Sequence, residues 1–248
     1  MKAPADTESH SQKKTSIITH LTELRRRLIV CVIAVFAAFV VAYAFSEAVL
    51  KVLIAPMIEA LPPDTSLSMI KVQEAFITHI KVALAAAVIV AFPVIMHQAW
   101  SFVLPALKKK EARVGLPLIV LATTLFAAGI LFAYYGVLPY AFVFFLRSAE
   151  GLASPNISLM FYVSFCSRML LAFGAVFQMP LVIVFLVKTG IASVDQIKKA
   201  RKFAIVLIFI AAAILTPPDV LTQILMAIPL LALFEIGILI ARFMVSRN

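Results

Sequence analysis

Two carboxylates stand where a cationic ligand could reach them. Glu23 precedes Arg25, Arg26 and Arg27, and Glu111 follows Lys108, Lys109 and Lys110. An acid in a basic neighbourhood at the edge of an apolar segment offers charge-assisted hydrogen bonds to an incoming guanidinium or ammonium. Each acid also has a local reading. Glu23 lies at helical spacing from Arg26 and Arg27, a stabilising pattern near a helix start, and Glu111 is a solvated charge beside three lysines. Three more polar side chains fall within or beside apolar runs. Gln178 stands two residues before Pro180, which kinks a helix and frees backbone groups; its amide must bond either another helix of the chain or a partner helix. Glu235 calls for a basic or backbone partner. Gln223, one turn after Asp219, suits a hydrogen bond near a helix end. No nucleotide loop, zinc-protease pair, glycine-rich phosphate cradle or nucleophilic triad is present, so neither a cofactor nor a metal is expected. Cys31 and Cys166, 135 positions apart, form no metal or disulfide pattern.

What positions these groups is a membrane fold. The 248 residues are 63% hydrophobic and 14% charged, with a mean hydropathy of +1.07, against about 45–50% and about 25% for soluble domains. A span needs roughly 20 apolar residues, which leaves room for about six and excludes a large soluble catalytic domain. The apolar runs are Leu28 to Phe45, Val82 to Met96, Val114 to Leu138, Met169 to Val187, Phe203 to Thr216 and Val220 to Ala241. The first is too long for a cleaved secretory signal, although Ala42-Tyr43-Ala44 imitates a cleavage site. Six crossings make an all-α integral membrane protein with both termini on one side: an N-terminal segment over 1–27 with a disordered start, a transmembrane domain over 28–243 and a tail over 244–248. Seventeen Lys and Arg residues fall on the side of the termini. Five fall on the other: Lys51, Lys71, Lys81, Arg147 and Arg168. That bias puts both termini in the cytoplasm and accounts for the net charge of +10 without nucleic acid.

On the external side, residues 46–74 carry Pro56, Pro62 and Pro63 and read as a structured cap, while 139–168 reads as a long aromatic loop. Thr216-Pro217-Pro218-Asp219 reads as a tight hairpin, with Thr216 a candidate N-cap and Asp219 in the positive first turn of the last helix. Spans two and five are short of the roughly 30 Å hydrocarbon core, an arrangement that implies locally thinned bilayer or helix ends buried in protein. A permanent aqueous pore is excluded by the poverty of polar residues within the spans.

Several segments, in order, resemble the TatC family, the multispanning receptor subunit of the twin-arginine protein translocase. They are His20-Leu21-Thr22-Glu23-Leu24-Arg25-Arg26-Arg27-Leu28; Pro93 with Gln98-Ala99-Trp100-Ser101-Phe102 through Pro105-Ala106-Leu107 to Glu111; Phe173-Gly174 with Phe177 and Pro180; Leu215-Thr216-Pro217-Pro218-Asp219 with Gln223; and Pro229 with Phe234-Glu235. The resemblance implies six helices in a cupped bundle in the bacterial inner membrane and recognition of paired-arginine signal peptides of folded export substrates. It assigns Glu23 and Glu111 to the signal-binding surface with Arg25 and Phe102 nearby, and Pro56 to the shape of the external cap. It further implies TatA- and TatB-type single-span partners recruited near Gln178, Thr216 and Gln223, self-association in a receptor complex, and contact with membrane lipid. The family often has Glu where this chain has Gln178, which can hydrogen-bond a partner but cannot titrate. A proton-coupled transporter of small solutes is the alternative, weakened because Glu235 stands nearly alone among titratable groups in the spans. The chain could also itself be a twin-arginine export substrate, since Arg25-Arg26 precedes an apolar run.

Overall fold

The computed structural model describes residues 6–61, 67–103, 115–149, 157–215 and 220–245, and it is helical almost throughout. The helices are α1 (Asp6–Ala44), α2 (Ser46–Ala60), α3 (Glu74–Val103), α4 (Gly115–Leu131), α5 (Leu138–Ala149), α6 (Leu159–Val176), α7 (Met179–Lys188), α8 (Val194–Lys199), α9 (Arg201–Leu215) and α10 (Val220–Val245). Five stretches among the described residues are long and apolar enough to cross a membrane: Leu21–Ala44, Glu74–Phe102, Leu116–Ser148, Leu159–Lys188 and Met226–Met244. The N-terminal segment is part of this architecture, because α1 begins at Asp6 rather than after a disordered start.

Helices α1 and α3 run antiparallel. At one end Arg27 donates to Gln98 Oε1 at 3.5 Å; at the other, Ser46 Oγ, just past α1, meets His79 Nδ1 at 3.1 Å. The two contacts are about nineteen residues apart on both chain segments, which at 1.5 Å per residue is about 28 Å, one hydrocarbon thickness. These contacts define a rim end, which carries Glu23 and the arginines, and a cap end, which carries α2. Span two is thus not short: α3 has 30 residues, because Gln98 at one end and His79 at the other satisfy their polar groups across the helix pair and let the helix continue past its apolar centre.

The third crossing also outruns its apolar run. Helix α4 passes through a π-helical stretch, Phe132–Val137, into α5 and ends only at Ala149, so much of the expected aromatic loop is helix. Pro139 is the cause of the widened turn. It has no N–H for the Tyr135 carbonyl, and Leu138 N–H reaches back five residues to Ala133 O. A second proline has a matching consequence in the cap. Pro56, inside α2, leaves the Val52 carbonyl without its helical donor, and Tyr134 of the π-stretch donates its hydroxyl to that oxygen at 2.6 Å. Tyr162 of α6 donates to the adjacent Leu53 O at 2.9 Å. Two tyrosines therefore tie α2 to the spans at the place Pro56 opens.

The fourth crossing breaks at Phe177-Gln178, between α6 and α7, where Pro180 withholds a donor. Gln178 lies past the middle of Leu159–Lys188, toward the rim end. Helices α4 and α6 touch through glycines: a Cβ on Gly129 would stand 2.6 Å from Phe173 O, and one on Gly174 would stand 2.5 Å from the Phe126 ring. Gly129→Ala pushes a methyl group against backbone, which cannot rotate away, and costs roughly 1–3 kcal/mol. A lowered thermal midpoint in detergent is the expected result, and an unchanged midpoint would contradict this close approach.

After α7 the chain turns on Gly190, at φ +74°, and α8 starts with a reciprocal cap in which Ser193 Oγ accepts from Gln196 N at 3.2 Å and Gln196 Oε1 accepts from Ser193 N at 2.8 Å. Helix α9, with 15 residues, is about 22 Å long. It packs antiparallel on α10, fastened by Gln223 Nε2 donating to Phe209 O at 2.9 Å and by Arg201 pairing with Glu235 at 2.6 Å. The main core joins α2, the π-stretch, α5, α6, α9 and α10 around Met57, Leu138, Met169, Phe173, Met226 and Leu230.

Candidate functional site at the rim

Glu23 is paired locally, as its spacing allows. Arg27, four residues on, donates through Nε at 3.0 Å and Nη2 at 2.5 Å, and both bonds fall on Glu23 Oε1. The second oxygen, Oε2, has no partner among the described residues. Arg27 holds this geometry because its remaining nitrogen, Nη1, reaches Gln98 on α3, so a contact 71 positions away in the chain leaves the other carboxylate oxygen clear of Arg27. The Glu23 side chain is 36% exposed and Arg27 22%, which keeps the pair weak, about 0–1 kcal/mol. The free oxygen can accept a second cation without eviction of the first.

Helix α3 supplies the wall beside this acid. Gln98 and Phe102 are one turn apart on the same stripe, and the antiparallel register that joins Arg27 to Gln98 sets Phe102 level with Glu23. Phe102 is half-buried. On another face of the same turn, Trp100 is buried in a small cluster with Ala122 and Leu181 and meets the Phe185 ring edge-on, centroids 4.9 Å apart. That packing fixes the end of α3. Arg25 is exposed on α1. Glu111 lies outside the described residues, as do Thr216 and Asp219.

The remaining polar candidates are not one site. Gln178 Nε2 donates to Ala122 O on α4 at 3.0 Å, while its Oε1 is buried with no partner among the described residues. It lies just before Pro180, whose Cα comes within 3.0 Å of a Cβ built at Gly237. Gln223 is fourteen residues from Gly237 along α10, about 21 Å, toward the cap end. The two glutamines therefore belong to different heights of the molecule. Glu235 pairs with Arg201 at the start of α9, about half exposed, so it is a rim-end ion pair and not a group at mid-depth.

One carboxylate was missed. Glu74, the first residue of α3, is 1% exposed and accepts from Ile70 N at 2.8 Å, Lys71 N at 3.3 Å, Met160 N at 2.9 Å and the Ser158 hydroxyl. Beside it Ser68 N donates to Ile157 O and Leu159 N to Ser68 O, each at 3.0 Å. An acid at a helix start was the available signal, but two of its four donors, Ser158 and Met160 at the start of α6, come from more than eighty residues on.

An apolar groove of about 440 Å³ opens between α1 and α3, lined by Cys31, Val35, Phe36, Phe39, Ile80 and Leu84 among others. Cys31 is one turn below Arg27 on the same face, so the groove starts directly under the Glu23 pair.

Comparison with known proteins is consistent across the chain. Residues 19–229 match the family model described as Sec-independent protein translocase protein (TatC). The chain is 44% identical over 234 residues to the Sec-independent protein translocase protein TatC of Desulforapulum autotrophicum, with 94% of this chain and 87% of the relative covered. It is 39% identical over 232 residues to that of Escherichia coli K12, with 94% and 90% covered. A crystal structure of a twin arginine translocase receptor, TatC, superposes with a TM-score of 0.84 at 41% identity, covering 90% of this chain and 98% of the other.

Proposed function

The chain belongs to the TatC family of Sec-independent protein translocase proteins, a non-enzymatic family, and on that footing we propose that it is the receptor that captures paired-arginine signal peptides at its rim. The observation that supports this reading is that Arg27 takes only Oε1 of Glu23, at the level of α3 that carries Phe102. One arginine of the signal binds that oxygen and the other binds Glu111, with Arg25 at the margin of the surface and Phe102 in apolar contact. The apolar segment of the signal lies in the groove under Arg27. A guanidinium suits these acids better than an ammonium because its planar fork can engage two acceptors in fixed geometry.

In this proposal the rim is cytoplasmic, as the Lys and Arg bias requires, and the protein sits in the bacterial inner membrane. Helix α9 is a sixth crossing, and its length thins the adjoining bilayer. Lipid thickness measured by neutron scattering beside this protein should be reduced, and a normal thickness there would remove that part of the account. TatA- and TatB-type helices dock near Gln178, Thr216 and Gln223. Copies of the chain associate in the receptor complex.

The test is replacement of the resident family member in a bacterium by this chain. Export of a folded reporter carrying a paired-arginine signal should be restored, and export of the same reporter with paired lysines should not. Failure of export with a stably inserted chain would overturn the assignment. Solute uptake by vesicles holding the chain alone would favour the transporter alternative.

A further inference from the structure

At the cap end, Lys81 and Arg168 converge on one serine. Lys81 Nζ donates to Ser164 Oγ at 2.7 Å, and Arg168 Nε donates to the Ser164 carbonyl at 3.1 Å. The serine hydroxyl in turn donates to Met160 O at 2.6 Å. Both long side chains run back toward the cap end, as helical side chains lean toward their own N-terminus and as cations near a membrane boundary snorkel. No carboxylate joins them among the described residues. Lys51, the neighbouring cation of the cap, is held by Glu47 at 2.8 Å, and Glu74 is saturated by its four donors.

The depth of this pair is set by the helices. Lys81 is two residues, about 3 Å, inside the Ser46–His79 contact that marks one hydrocarbon boundary. Two cations at that level without an acid face the plane of lipid headgroups. Phe161, Ser164 and Arg168 follow one another at helical spacing on one face of α6, and Phe161 is 67% exposed. The same interface holds two buried hydroxyls with no partner among the described residues, Thr78 Oγ1 and Ser167 Oγ, each one turn from Lys81 or Ser164. The cluster carries more donors than packing of α3 on α6 uses.

We propose that Lys81, Ser164 and Arg168 form a binding site for a phosphate group at the cap-end boundary of the membrane. The free donors of the Arg168 guanidinium and the Lys81 ammonium grip the phosphate oxygens. The source is an anionic phospholipid headgroup, whose phosphate no ammonium of its own neutralises, or free inorganic phosphate, and the position at the boundary, with Phe161 beside it for an acyl chain, suits the lipid.

The experiment is native mass spectrometry of the full-length chain in detergent with added phosphatidylglycerol, against phosphatidylcholine, and against inorganic phosphate as competitor. The wild type should retain phosphatidylglycerol at least about tenfold better than phosphatidylcholine, a difference of about 1.4 kcal/mol, and K81Q/R168Q should reduce retention to the phosphatidylcholine level. Persistence of the lipid in millimolar inorganic phosphate assigns the site to lipid; displacement by it assigns the site to the free anion, and either result supports a phosphate site. R147Q removes a cation from the same end and should leave retention unchanged. Equal retention in K81Q/R168Q and wild type, or equal loss in R147Q, would overturn the proposal. Should K81Q/R168Q not fold, R168Q alone alters an exposed side chain and should lower retention about threefold or more; unchanged retention there also overturns it.

Discussion

Replacement of Glu23 and Glu111 together by alanine should lower the affinity for a paired-arginine signal peptide by about a hundredfold or more, with membrane insertion unchanged. Two charge-assisted hydrogen-bonded contacts contribute roughly 1.5–3 kcal/mol each, which together correspond to about two to four powers of ten. The lower end applies, because Glu23 is partly exposed and water screens it. Breaking the resident Arg27 pair should add little cost, since both Arg27 bonds use Oε1 and the proposed ligand would take Oε2. Charge reversal at Glu111 should go further and abolish binding, because it replaces attraction by repulsion in a segment that already carries Lys108, Lys109 and Lys110. Titration of a labelled peptide against purified protein reads both effects. Undiminished affinity in the double alanine variant, with the protein correctly inserted, would reject the assignment of both acids.

The second large effect lies at the opposite end. Glu74→Ala removes one acceptor group and strands four donors, three backbone N–H groups and the Ser158 hydroxyl, in a site that is 1% exposed. A buried donor left without a partner costs about 1–3 kcal/mol, so the substitution should destabilise by about 3 kcal/mol or more, over a hundredfold in the unfolding equilibrium. The loss is local first. The Ser68–Ser158 bridge and the loop around Ile70 depend on that carboxylate, so the cap end should open to protease before the spans separate. Glu74→Gln, which keeps the shape and one acceptor oxygen, should fall between wild type and alanine. Protease cleavage at residues near 68–72 and the thermal midpoint in detergent measure it, and an alanine variant as resistant as wild type would show that the cap is held elsewhere.

Much of the architecture was legible because apolar runs and basic blocks obey membrane physics directly. Its ends were not. The run Val82 to Met96 looked short because Lys81 and His97 interrupt it, yet the helix runs 30 residues: Lys81 finds Ser164 and Gln98 finds Arg27, contacts between residues 71 and 83 positions apart that no local pattern displays. Pro139 looked like an end and is instead a change of helical pitch, since the π-turn absorbs its missing donor. At the rim, the Glu23–Arg27 pair could be foreseen from spacing. The open oxygen could not, because it depends on which carboxylate oxygen Arg27 grips once Gln98 holds its other nitrogen. Gln178 bonds a neighbouring helix of its own chain, one of the two partners its sequence left open, and it stands at a different height from Gln223, which sequence order does not display.

The most direct test of the rim as a signal receptor is photocrosslinking from position 102, with Phe102 replaced by a photoreactive phenylalanine analogue. A paired-arginine signal peptide should crosslink strongly, a paired-lysine peptide weakly, and neither in the E23A/E111A background. Equal crosslinking of the two peptides, or crosslinking that survives loss of both acids, would contradict the account.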